Sequence, residues 1–179
     1  MSFPTQTSYS INFNGAFAGM IGDEPDCRVE SFRNDDAGNI PAGIFMAEGT
    51  TDQSAILLVA ATGAGGKVCG VVANMFSRDP GNLTSQLSGT NDAYLPGVSI
   101  PLLTRGLIWV RSESAFAHGD DVYVRHTVNG GLTQKGAVTS GAGTTTGCRK
   151  LTGARVVQSS SASGVVLLEV DINVDRATV

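Results

Sequence analysis

The stretch 101–125, PLLTRGLIWVRSESAFAHGDDVYVR, constrains the fold more than any other part of the chain. Two β-rich runs, 106–111 and 122–125, flank a polar connector containing Gly119-Asp120-Asp121. Val, Ile, Trp and Tyr at close spacing favour strands, because branched and aromatic side chains fit a pleated surface. Gly and Asp between the runs supply the backbone freedom and local hydrogen bonds with which a chain reverses. The segment reads as a hairpin or as two neighbouring barrel strands. It holds no catalytic constellation, and strong β-architecture without chemistry points to a structural protein.

The rest of the chain agrees. Helical periodicity is nearly absent, and the continuous apolar run 54–62, SAILLVAAT, has turn-rich flanks that favour a buried strand. Strands are expected at 27–32, 43–47, 55–61, 68–74, 98–103, 106–111, 122–126, 154–158 and 164–174. Turn signals such as Asp79-Pro80-Gly81-Asn82 and Asn129-Gly130-Gly131 separate several of them. The pattern indicates an all-β protein, a β-barrel or β-sandwich, with two small β-lobes as one arrangement. The organisation read from the chain is an extended N-terminal arm over 1–26, a first β-lobe over 27–97 and a barrel-like C-terminal lobe over 98–179. Phe3, Tyr9, Ile11, Phe13, Phe17 and Met20 are scattered among small polar residues in the first stretch. An arm lying on a neighbour has this composition, and so has a first strand followed by a loop. Residues 79–97 form a long loop of the kind that often makes contacts.

Composition narrows the function. Hydrophobic residues make up 41% of the chain, enough for a packed core, but charged residues only 16%, below the roughly 25% of soluble domains. Low charge weakens the repulsion that keeps proteins apart, and small polar side chains lose little entropy when covered. Both suit a subunit of an assembly. Net charge is −4, and the only lysines, Lys67, Lys135 and Lys150, are far apart, so direct nucleic-acid binding is not expected. The most apolar window, 55–61, is too short to cross a bilayer, so no membrane partner is expected either. Residues 1–15 lack the basic and apolar regions of a signal peptide. Cys27, Cys69 and Cys148 form no C-x-x-C and read as three isolated buried thiols in a protein that folds in a reducing cytoplasm.

Candidate chemistry fails on inspection. In 61–68, ATGAGGKV, a phosphate-binding loop would need Gly where Ala61 stands and Ser or Thr where Val68 stands. A glycine-rich β-turn accounts for it better. His118, Asp120, Asp121 and His126 fit no familiar zinc spacing, and the acidic groups at 23–26 and 35–36 lack a calcium loop's alternating ligands. No Ser sits in G-x-S-x-G. No catalytic, cofactor-binding or metal-binding residue is therefore assigned. Trp109, the lone tryptophan, lies in a run apolar on both faces. Core packing is the default reading of such a strand, and exposure at a subunit interface is the functional alternative.

Several segments, in order, resemble a known family. They are 15–21 (GAFAGMI) followed by Asp23, 29–31 (VES), 40–43 (IPAG), 98–106 (VSIPLLTRG), 119–125 (GDDVYVR), 153–155 (GAR) and the closing strand 165–170. The chain is similar to the head cement or decoration proteins of tailed bacteriophages, the group often labelled structural cement protein. The resemblance implies a non-enzymatic all-β protein on the exterior of the virion, present in the host cytoplasm before assembly. Its partners would be the major capsid protein and copies of itself, as a dimer or trimer, with no cofactor. Candidate capsid or subunit contacts are Tyr9, Phe13, Phe17, Met20, Leu83, Tyr94 and Trp109. The alternative is a tail or baseplate β-domain or a lectin-like adhesin, against which an aromatic content of only 6% counts.

Overall fold

The computed structural model describes residues 16–22, 26–59, 66–74, 93–128, 130–131, 134–141 and 147–173. Their strands are β1 (Arg28–Asn34), β2 (Ile40–Pro41), β3 (Phe45–Glu48), β4 (Ser54–Leu57), β5 (Val68–Val72) and β6 (Ala93–Tyr94). After these come β7 (Ser99–Ser112), β8 (Val122–Arg125), β9 (Val138–Thr139), β10 (Cys148–Leu151), β11 (Ala154–Gln158) and β12 (Gly164–Asp171). The fold is all-β.

Five strands close on themselves. The order β1-β4-β3-β5-β7 is completed by antiparallel pairing of β7 with β1, which leaves this ring without a free edge. Its interior holds Phe32, Ile40, Ile44, Met46, Ala55, Val72, Tyr94, Ile100 and Leu102. Asn34 is 1% exposed and its Nδ2 donates to Leu95 O at 3.0 Å. Its backbone N–H reaches Val98 O at 2.9 Å and its carbonyl accepts from Gly97 N at 2.7 Å, fastening the approach to β7.

The outside of β3 and β5 is covered as well. Phe45, Ala47, Val68 and Val71 face a second core with Val110, Val124, Val138, Val166 and Leu168. That is why β5, VCGVV, is buried at every position and reads as a continuous apolar run rather than an alternating one. Gly136 sits at this junction: its N–H donates to Arg125 O at 2.8 Å, its carbonyl accepts from Phe45 N at 2.8 Å, and a Cβ there would lie 2.4 Å from Phe45 O.

The strand β7 serves both cores. The expected break between 98–103 and 106–111 does not occur; one 14-residue strand runs through. Opposite β1, Arg28 pairs with Arg105 and Val29 with Leu103, so Thr104 is an extra residue, a β-bulge. Thr104 is 2% exposed and its hydroxyl donates to Arg28 O at 3.2 Å. The bulge, with Gly106 at φ 124, shifts the alternation by one. Ile100 and Leu102 point into the barrel, whereas Ile108 and Val110 point into the second core.

Beyond the bulge β7 pairs with all of β12, from Arg105↔Asp171 to Ser112↔Gly164, and β12 pairs with β11. On its other side β7 meets β9 at Ser112↔Val138, followed by β8 and β10. The runs 106–111 and 122–125 are therefore not a hairpin, because β9 stands between them. Of the expected arm, residues 1–15 and 23–25 lie outside the described residues, while 19–22 lie along β7. Of the loop 79–97, only 93–97 are described, and Ala93–Tyr94 pair with Ile40–Pro41. Residues 60–65 are also outside, but Val68 after them opens a strand. None of the three cysteines is in a disulfide; only Cys69 is buried, Cys148 is half-buried and Cys27, ahead of β1, is exposed, which corrects the expectation of three buried thiols.

Candidate functional site

Alternation along β7 sends Ile108 and Val110 inward, so Leu107, Trp109 and Arg111 face outward, each partly exposed. The neighbouring strand obeys the same rule. Val166, Leu168 and Val170 are buried, and Val165, Leu167 and Glu169 face out. Register then sets the cross-strand neighbours: Leu167 lies directly opposite Trp109, Val165 opposite Arg111 and Glu169 opposite Leu107. Such pairs hold their Cβ atoms about 5 Å apart and pack as a unit. In β11, Val156 is buried while Val157, the bulged residue between the Val156↔Leu168 and Gln158↔Leu167 pairs, is 37% exposed.

A fourth element completes this face. Residues 19–22 run antiparallel to β7 on the side away from β12, with Ile21 bridged to Ile108, after a turn in which Met20 N donates to Phe17 O at 3.1 Å. Gly19 N donates to Trp109 O at 2.7 Å, Trp109 N to Met20 O at 2.9 Å and Gly22 N to Leu107 O at 2.8 Å. Gly19, at φ 83, also accepts from Asn74 N at 2.7 Å, and an added Cβ would meet Asn74 N at 2.8 Å. Ile21 packs on the core, which leaves Met20 on the outer side. An apolar row, Met20–Trp109–Leu167–Val157, thus crosses four neighbouring elements of the sheet.

The ends of the row differ in character. Phe17, 48% exposed, lines a groove of about 340 Å³ with Ala18, Arg111, Gly164 and Val165. The Arg111 Nε donates to Ala42 O at 3.0 Å, which holds its guanidinium at the groove wall. On the other flank an Arg155–Glu169 ion pair borders the apolar row. A mostly apolar strip with a charged rim is suited to covering by protein and offers no proton-transfer pair.

Of the residues singled out from sequence, Phe17, Met20 and Trp109 come together on this face. Tyr94 lies elsewhere, 4% exposed, with its hydroxyl donating to Ala73 O at 2.8 Å. Tyr9, Phe13 and Leu83 lie outside the described residues. Leu167 and Val157 escaped sequence reasoning. The alternation in 164–171 marks Leu167 as outward, but only register reveals that it adjoins Trp109.

The polar residues of the 113–127 region have structural duties. Asp120 Oδ2 accepts from Ala117 N at 2.8 Å and closes the turn before β8, and Asp121 pairs with Lys150 at 2.7 Å. The hydrogen bond to Asp121 raises the Lys150 pKa. His126 is held below the usual 6.5, chiefly by burial, with the nearby Arg149, Arg125 and Lys135 charges adding to the effect. Burial raises the Cys148 thiol pKa, which favours its protonated form.

Comparison with known proteins matches residues 5–172 to the family described as "Structural cement protein (E217 gp24/Pam3 gp6)". No curated protein matches the chain. A chain in "The capsid of Myoviridae Phage XM1" shares the fold at a TM-score of 0.64 and 15% identity, over 93% of this chain and 98% of that one. The "head fiber gp8.5 N base in bacteriophage phi29" aligns at a TM-score of 0.46 and 13% identity, over 81% of this chain and 96% of that one.

Proposed function

The chain belongs to the structural cement protein family of phages, and we propose that it binds the outside of a mature head and bridges major capsid subunits. Its role is that of a capsid cement, a structural one. The observation that carries the bridging reading is the outward row Met20–Trp109–Leu167–Val157, an apolar strip on a sheet whose opposite face already fills a core. Aromatic side chains at such places supply much of the affinity of protein interfaces.

A protein that binds only the expanded shell stabilises that state by mass action. Individual contacts can be modest, because a dimer or trimer that touches several capsid subunits gains from effective concentration. The elements proposed to reach those neighbours are the N-terminal arm and the 79–97 loop. Before assembly the protein would stand in the host cytoplasm, and on the head it would work without cofactor, nucleic acid or membrane.

The test compares binding of purified protein to unexpanded and expanded heads that lack it. Binding to expanded heads alone is expected. Equal binding to both, or to neither, would overturn the proposal and move weight to a tail or adhesin module.

A further inference from the structure

The charged groups that flank the outward row are not equivalent. On one flank Arg155 and Glu169 neutralise each other within the subunit. On the other, Arg111 has no acidic partner among the described residues. Glu113, two residues further along the chain, is committed to Arg125 at 2.7 Å, and the residue directly opposite Arg111 in β12 is Val165.

The fold holds Arg111 at both ends. Its backbone N–H donates to Gly43 O at 2.7 Å, and its Nε donates to Ala42 O at 3.0 Å. With Nε engaged, the edge formed by Nη1 and Nη2 is left to a ligand, and the spacing of those donors matches the oxygens of a carboxylate. The rest of the groove is apolar. Phe17, 48% exposed, is placed by the turn in which its carbonyl accepts from Met20 N at 3.1 Å. Ala18 beside it packs on Gly43, where an added Cβ would meet Ala18 Cβ at 2.6 Å. Over Gly164 a Cβ would meet nothing within 4 Å, so the groove is open there. Its volume of about 340 Å³ has room for a large side chain.

A partner lying on Trp109 and Leu167 reaches this groove, because Arg111 and Val165 are the next outward residues of β7 and β12. Covering a guanidinium strips its water and is costly unless a counter-charge arrives with the partner. Arg155 brings its own counter-charge; Arg111 does not.

We propose that the Phe17–Arg111–Val165 groove is the specificity pocket of the capsid contact. It takes an Asp or Glu side chain of the major capsid protein on Arg111 Nη1 and Nη2, with an apolar neighbour of that residue lying against Phe17. This inference rests on the capsid reading and adds the chemistry that the partner must present.

The experiment measures co-sedimentation of purified variants with expanded heads that lack the protein. Arg111→Gln removes the charge and should weaken binding by more than about tenfold. Arg33→Gln, at the opposite end of β7 beside Ser99, removes an exposed charge and should change binding by less than about twofold. Equal binding of wild type and Arg111→Gln, or equal losses in the two variants, would overturn the proposal. Arg111→Lys, bound to heads and treated with a water-soluble carbodiimide, should form an amide between the new amine and a capsid Asp or Glu, identified by mass spectrometry. No such amide, or one to acids of this chain alone, would also overturn it. Wild type that fails to bind heads would overturn the capsid reading and this inference with it, whereas wild-type binding without dependence on Arg111 would overturn this inference alone.

Discussion

Removing the Glu113 carboxylate should be among the costliest single changes in the protein. Arg125, at the end of β8, is 0% exposed, and its Nε lies 2.8 and 2.7 Å from the two carboxylate oxygens of Glu113, whose side chain is 8% exposed. The Arg125 Nη1 also donates to Thr127 O at 3.3 Å. Glu113 follows β7 directly, so the pair ties the longest strand to β8 across β9. In Glu113→Ala the guanidinium keeps its charge in the interior and loses the counter-charge. Breaking a buried pair in this way costs about 3–5 kcal/mol. With a urea slope of about 2 kcal/mol/M, the midpoint should drop by roughly 2 M. For a chain of this size the melting temperature should fall by about 10 °C. The double change Glu113→Met with Arg125→Met removes both charges and keeps the volume, so it should recover most of the loss. Urea unfolding followed by circular dichroism measures all three proteins. A loss below about 1 kcal/mol in Glu113→Ala would refute the reasoning. So would a double variant less stable than the single one.

Three further outcomes are expected. Gly136→Ala, at φ 82 with its Cβ 2.4 Å from Phe45 O, should cost at least about 3 kcal/mol. Gly97→Ala, at φ 77 in open space, should cost only about 1; similar urea midpoints for the two would contradict the packing. Because burial lowers the His126 pKa, the unfolded chain binds a proton that the folded chain resists as pH falls through 6.5. Stability should therefore decline below that pH until the folded pKa is passed, and His126→Phe should flatten the decline. Imidazole NMR titration at or above 6.5 would contradict it. Deleting residues 2–14 should leave the unfolding midpoint unchanged and weaken attachment to heads, and full binding by the truncated protein would remove the arm from the account.

The β class was legible because most strands here carry one exposed face or sit between turn residues. The strand 154–158 was placed at its observed bounds, and Trp109 was marked as either core or interface. The bulge was not legible. Thr104 suits a strand, and Gly106 looks like a terminator, so a single strand serving two cores was read as two. The pairs β2–β6 and β8–β9 are held by two residue pairs each and owe their existence to tertiary packing, which leaves no periodic signal in two residues. Insertion of β9 beside β7 likewise depends on Val138 filling the second core, a long-range contact that local patterning does not encode. The same limit applies to the outward face: alternation shows which way Leu167 points, but its partnership with Trp109 follows from register across strands nearly sixty residues apart.

The central claim is tested most directly by titrating purified protein onto expanded phage heads that lack it, with co-sedimentation as the readout and heat release of DNA measured on the same samples. The account predicts saturation at a fixed ratio to capsid subunits and heads that withstand higher temperature as the sites fill. Binding that never saturates, or saturates without raising the temperature of head failure, would contradict it.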